Sequence, residues 1–259
     1  MSELSLKLPD GNQLQIEKGQ TYADAVRQIG EGLLRNALAV TVDGVHHPLV
    51  EEVTTGGDML VITRSAEEGL DTLRHSTAHL MAWAVSDLFP GVKFAFGPDI
   101  ENGFYYDFDR EEPFTEEDLE KIEKRMKELA KQKVAIERTE VSKAEAREMF
   151  KDQPYKLEQI ASLGDEQLSV YRMGEFQDLC EGPHVPDTKD LKAFKLLSVA
   201  GAYWRGDSSQ PMLQRIYGTS FFKKKDLDAH LQMLEEAKKR DHRKLGRELD
   251  LFGIMDEAG

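Results

Sequence analysis

Two pairs of side chains, each four residues apart, carry the chemistry this sequence offers. His75 and His79 fall in residues 72–89, a stretch that reads as a helix, so their imidazoles lie one turn apart on one face and reach one point in space. The second pair, Cys180 and His184, sits in Asp178-Leu-Cys180-Glu-Gly-Pro-His184, which Gly182-Pro183 keeps out of a helix and makes a loop. Three imidazoles and the chain's single cysteine suit a tetrahedral zinc ion. They suit equally a water held without metal, with histidine as base. Taken singly, each pair has a plainer explanation, a wet helix face in one case and a small buried thiol in the other. Together they point to one shared site.

Other polar residues are candidates to join it. Lys156, behind Pro154-Tyr155, is either a surface amine or a cation in a pocket. Asp178 either orients an imidazole or closes a turn. Tyr105 and Tyr106 alternate across a strand, so one faces inward and the other outward. The sequence has no phosphate loop of the Gly-x-x-x-x-Gly-Lys type, no Gly-x-Ser-x-Gly elbow and no dinucleotide fingerprint, so ATP and NAD chemistry have no visible home in these residues.

Composition bounds the setting. The 259 residues allow two domains of ordinary size, with 40% hydrophobic and 32% charged residues. No run approaches the roughly 20 apolar residues that cross a bilayer. The start, MSELSLKLPDG, lacks the basic and apolar regions of a signal peptide. One cysteine permits no internal disulfide, which fits a reducing, cytoplasmic setting. A net charge of −14 repels nucleic acid on average, so RNA binding needs a local basic patch. Residues 223–247 supply one, with nine Lys/Arg against five Asp/Glu; a solvated amphipathic helix of mixed charge reads the same way.

The expected class is α+β. Residues 1–64 form a small ubiquitin-like β-grasp unit: a hairpin turning at Asp10-Gly11, a helix N-capped by Thr21 and ended by Gly30 and Gly32, then strands at residues 39–43, 45–50 and 59–63. His46 and His47 sit beside a turn at its surface. Residues 64–70 read as a polar linker. Residues 65–224 form a mixed α/β domain. Its elements are the histidine helix, aromatic strands over residues 93–109, and a long charged helix capped by Thr115 and running to about residue 133. A helix with the capping box Ser142 and Glu145, a helix opening at Pro154, and strands at residues 168–172, 194–204 and 212–218 complete it. Residues 225–259 are a basic linker helix, running from 226 to about 249 and breaking near Gly246.

His75-Ser-Thr-Ala-His79, Gly97-Pro98 with Asn102-Gly-Phe-Tyr-Tyr-Asp107, Pro154-Tyr-Lys156, Asp178-Leu-Cys-Glu-Gly-Pro-His184 and Ala200-Gly-Ala-Tyr-Trp204-Arg-Gly-Asp together resemble the N-terminal half of the bacterial threonyl-tRNA synthetases. The paired motif is shared with alanyl-tRNA synthetase editing domains. The first unit resembles the family's TGS domain, and Asp241-His-Arg-Lys-Leu-Gly-Arg-Glu-Leu-Asp-Leu-Phe resembles the segment leading into its catalytic domain.

The resemblance implies a fragment that does not aminoacylate but hydrolyses seryl-tRNA(Thr) by attack of water on the aminoacyl ester. Serine is threonine without a methyl, and one such group gives only about 10- to 200-fold discrimination, so a second sieve is required. By motif position, His75 and Lys156 activate the water or stabilise the oxyanion. His79, Cys180 and His184 shape the pocket, Asp178 holds the seryl amino group or hydroxyl, and Tyr106 packs on the terminal adenosine or ribose. Zinc is possible at His75, His79, Cys180 and His184 but is not expected, and no cofactor is required for editing. ATP and a zinc ion belong to the absent class II catalytic domain, through which the whole enzyme forms a homodimer. The partner is the tRNA(Thr) acceptor end carrying serine, with the basic helix near its acceptor arm. Glu181 stands where some relatives carry a basic residue. The competing readings are a free-standing zinc-dependent aminoacyl-tRNA deacylase and a non-catalytic RNA-binding module.

Overall fold

The computed structural model describes residues 4–164 and 167–240. The first hairpin pairs β1 (Leu4–Lys7) with β2 (Gln13–Ile16). Thr21 caps α1 (Tyr22–Ile29) reciprocally: its hydroxyl accepts from the Asp24 N–H, and the Asp24 carboxylate accepts from the Thr21 N–H at 2.9 Å. Gly30 ends α1, but Gly32 lies inside a further helix, α2 (Glu31–Asn36), which the sequence reading lacks. Leu33 and Leu34 pack on the core there, and that contact outweighs the roughly 1 kcal/mol a helical glycine costs. Strands β3 (Ala37–Val42), β4 (Val45–Pro48) and β5 (Gly57–Thr63) complete a sheet of order β2-β1-β5-β3-β4, with β1 parallel to β5. His47 is buried, against the surface position expected: it packs on Tyr22 at 4.8 Å, and its Nδ1 lies 3.0 Å from Glu51 Oε1.

The linker shrinks to residues 64–66, because α3 (Glu67–Leu88) starts five residues before the expected Thr72. Its Glu67 and Glu68 favour the positive end of the helix dipole. Where one apolar face was expected, α3 is buried almost all round between Thr72 and Val85. Trp83, Met81 and Leu80 sit in the main core, and Ser76 and Thr77 satisfy themselves by donating to carbonyls one turn back, at 2.7 Å each.

A second sheet wraps this helix. Strands β6 (Lys93–Phe94), β7 (Asp99–Ile100) and β8 (Gly103–Asp109) are followed by α4 (Glu116–Ala130), whose Ile122, Met126 and Leu129 face the core. Next come β9 (Ile136–Val141), α5 (Lys143–Met149), α6 (Pro154–Ser162), β10 (Leu168–Met173) and β11 (Phe176–Leu179). β9, β10 and β11 form a separate antiparallel sheet of order β11-β10-β9. β12 (Ala193–Tyr203) and β13 (Met212–Phe221) close the larger sheet in the order β12-β13-β8-β6, and α7 (Lys224–Lys239) packs on their outer side. The whole is a mixed fold of the α+β kind. Asp241-His-Arg-Lys-Leu-Gly-Arg-Glu-Leu-Asp-Leu-Phe, the expected break near Gly246 and the final segment lie outside the described residues.

Candidate functional site

Three walls meet at the histidines. α3 presents His75 and His79, whose ring centroids are 4.8 Å apart. The loop after β11 lays His184 against both, at 4.6 Å from His75 and 4.5 Å from His79. Cys180 lies between the rings: its Sγ is 2.9 Å from His75 Nε2 and 3.4 Å from His184 Nε2, and the Gly182 N–H points at it from 3.2 Å. Gly182 takes φ of +79°, and a Cβ there would also strike the Tyr171 hydroxyl, so the loop's tight path needs glycine. Tyr171 in turn packs on the His184 ring at 4.5 Å.

The third wall is charged. Lys156 enters from α6 and Asp178 from the end of β11, and each is 2% exposed. Lys156 Nζ lies 2.5 Å from Asp178 Oδ1, while Asp178 Oδ2 accepts from the Tyr106 hydroxyl at 2.6 Å and sits 3.8 Å from His79 Nε2. This settles two alternatives: Lys156 is a pocket cation, and Asp178 is a buried strand residue gathering three partners.

Register decides which tyrosine turns inward. β8 pairs with β13, and Phe104, Tyr106 and Phe108 face the core while Tyr105 packs under the Arg215 guanidinium at 3.7 Å. Tyr106 is fully buried. The expected stacking of Tyr106 on an adenosine or ribose therefore has no surface to act through; its place is behind Asp178. A Cβ on Gly97 would run into the Tyr106 ring, so only glycine lets this backbone approach. The Gly97 carbonyl faces His75 Nδ1 at 3.3 Å. A carbonyl only accepts, so His75 carries its proton on Nδ1 and turns a bare Nε2 toward Cys180.

Burial sets the protonation states. It holds the His75 imidazole below its ordinary range and those of His79 and His184 well below it, with His75 and Lys156 acting the same way on His79. Burial also pushes the Cys180 thiol up to about 12 and the Tyr106 phenol well above its usual value. The site thus holds three neutral imidazoles, a neutral thiol and one ion pair. His75, His79, Cys180 and the Lys156–Asp178 pair line a cavity of about 480 Å³, together with Gln159, Leu163 and the exposed Glu181. A neutral imidazole with a free lone pair beside an ammonium can deprotonate a water and stabilise the oxyanion that results.

Four of these residues also form a candidate metal-ligand set. The ligand atoms of His75, His79, Cys180 and His184 all lie within 4.8 Å of one another, and the donor types fit zinc. Bound there, such an ion would act as a Lewis acid and lower the pKa of a water. The 2.9 Å between Cys180 Sγ and His75 Nε2 is tighter than the roughly 3.5 Å edge of a tetrahedral zinc site.

All seven candidates, His75, His79, Tyr106, Lys156, Asp178, Cys180 and His184, come together. The sequence reading gave no role to Ser76, Gly97 or Tyr171, although the first two fall within its motifs. Ser76 carried a signal, a serine flanked by site histidines on a buried helix; the other two are defined only by tertiary approach.

Residues 168–217 match the family described as threonyl and alanyl tRNA synthetase second additional domain. Across its whole length the chain is 53% identical to a threonine–tRNA ligase of Citrifermentans bemidjiense and 52% identical to one of Geobacter sp.. It is also 53% identical, over 97% of its length, to a threonine–tRNA ligase of Staphylococcus saprophyticus. It spans 39–41% of the length of these relatives.

Proposed function

We propose that this chain is the proofreading part of a longer threonine–tRNA ligase and hydrolyses serine from mischarged tRNA(Thr). The observation that carries the reading is the bare His75 Nε2 on the same cavity wall as the Lys156–Asp178 pair. Water gives a proton to an imidazole and its oxygen bonds to the ester carbon. Lys156 keeps N–H groups beyond the one facing Asp178 and meets the tetrahedral oxyanion. The carbon–oxygen bond to the terminal ribose then breaks, and the ribose oxygen takes the proton back. Asp178 and His79 hold the seryl amino group and hydroxyl, and the pocket excludes the extra methyl of threonine.

In this reading the first sheet is a TGS domain, residues 65–224 are the editing domain, and α7 begins the linker to a catalytic half. That half charges tRNA(Thr) with threonine using ATP and carries the dimer contacts. The test compares hydrolysis of seryl- and threonyl-tRNA(Thr) by this chain, with and without chelator. Selective loss of serine, unaffected by chelator, is expected; no hydrolysis, or equal hydrolysis of both, overturns the reading.

One observation favours a second reading, a zinc-dependent deacylase: the four donor atoms within 4.8 Å. It requires one zinc per chain by elemental analysis and loss of hydrolysis on chelation.

A further inference from the structure

We propose that Ser76, which touches no substrate, is a positioning residue that fixes the tautomer of His184. The inference rests on the hydrolytic reading above for its catalytic consequence, but not for its geometry. Ser76 is fully buried on α3, between the two site histidines in sequence. Its Oγ has three neighbours: the Thr72 carbonyl at 2.7 Å, the Val185 N–H at 3.0 Å and His184 Nδ1 at 3.0 Å.

A hydroxyl has one hydrogen and two lone pairs. The Thr72 carbonyl has no hydrogen to offer, so a 2.7 Å oxygen–oxygen contact requires the Ser76 hydrogen to lie between them. The Val185 N–H takes one lone pair. The remaining lone pair can only accept, so His184 Nδ1 must be the donor. His184 is therefore the Nδ1–H tautomer, and its Nε2 is a bare acceptor.

His75 reaches the same state by another route, through the Gly97 carbonyl. Both bare nitrogens face Cys180 Sγ, at 2.9 and 3.4 Å. A neutral thiol has one hydrogen and can satisfy only one of them. The other lone pair is left without a donor inside the cluster. Ser76 and Gly97 together thus leave the His75–Cys180–His184 cluster with one acceptor more than it has donors, which is what taking a proton from a water needs. Without Ser76, His184 is free to turn its proton to Nε2, fill the vacant acceptor and remove the surplus.

The test combines a spectrum with kinetics. In wild-type chain labelled with ¹⁵N-histidine, long-range proton–nitrogen correlation is expected to show His184 protonated at Nδ1 and bare at Nε2; a proton on Nε2 overturns the proposal. In Ser76→Ala the His184 pattern is expected to shift toward Nε2–H. Hydrolysis of seryl-tRNA(Thr) is expected to fall about 10- to 100-fold in kcat, with KM little changed. Ser76→Thr, which keeps the hydroxyl, is expected to restore both readouts. A Ser76→Ala chain with wild-type kcat, or with His184 unshifted, overturns the proposal. If Ser76→Ala does not fold, the wild-type spectrum decides alone. If the wild-type chain hydrolyses nothing, the reading under Proposed function fails, while the spectrum still tests the tautomer.

Discussion

Lys156 and Asp178 are buried together in the cavity wall, Nζ to Oδ1 at 2.5 Å, with each residue 2% exposed. Two charges withdrawn from water hold one another in place at a high desolvation cost, and replacing such a pair with apolar side chains is often neutral or stabilising. A stability role alone therefore does not account for the pair; the proposed role of Lys156, an ammonium facing a developing oxyanion, does.

Removing one partner should expose that cost. Lys156→Met leaves Asp178 buried without its cation and is expected to destabilise the chain by about 3–5 kcal/mol in urea titration. The double variant Lys156→Met/Asp178→Leu is expected to recover much of that stability while seryl-tRNA hydrolysis stays lost. A double variant as unstable as the single, or one that still hydrolyses, would show that the pair serves packing and not chemistry.

The parts of the site legible in the sequence were those fixed by local geometry. Helical spacing places His75 over His79, and Gly182-Pro183 forces Cys180 and His184 into a loop, so both pairs could be named before any fold existed. What stayed hidden depends on pairing across long distances. Tyr106 faces inward because β8 meets β13 with Tyr106 opposite Ile216, a register set by residues 110 positions apart. Lys156 is a pocket cation only because α6, which packs on α5 and β6, carries it to Asp178 of β11. The fold shows the same division: capping boxes at Thr21, Thr115 and Ser142 marked helix starts, whereas β9, charged along much of its length, and the four-residue β11 were invisible. α2 and the true start of α3 were also missed, because neither begins with a side-chain cap.

The histidines should make stability fall with acid. Unfolded, each takes a proton near 6.5; folded, burial holds His75 below that and His79 and His184 well below. Between those points the unfolded chain binds more protons, so stability is full above about 6.5 and is lost as pH falls, by at most about 1.4 kcal/mol per pH unit for each histidine. Asp71 and Asp190, whose carboxyls burial raises, act with the opposite sign at lower pH. Urea midpoints taken from pH 7.5 down to 5.5 should fall steadily. His184→Asn should reduce the slope by one proton, and a flat profile would contradict neutral, buried imidazoles.

Tyr106→Phe separates a phenol that holds Asp178 from one that meets a nucleoside. The variant keeps the ring and its packing on Phe108 but loses the 2.6 Å hydrogen bond. An acceptor left short in a buried site costs about 1–3 kcal/mol. The expected outcome is that loss of stability, together with a lower kcat for seryl-tRNA as Asp178 loses its anchor. Wild-type stability and rate would instead return Tyr106 to the role of an aromatic surface.

The positive charge of α7 divides into two clusters, Lys223–Lys224–Lys225 and Lys238–Lys239–Arg240, separated by an acidic middle at Asp226, Asp228, Glu235 and Glu236. Both clusters are exposed, and among the described residues the second is engaged only through the surface contact of Arg240 with Glu236 at 3.1 Å, a pair of small worth. Set against a tRNA backbone, three cations contribute through counterion release, so their effect should fade as salt rises. Reversing Lys238, Lys239 and Arg240 to glutamate is expected to weaken seryl-tRNA binding strongly at low salt and to flatten the dependence of log K on log salt by about 2–3. The rate at saturating tRNA should hold, since no site residue is touched. Unchanged binding at low salt would show that α7 is a solvated helix and that RNA is gripped elsewhere.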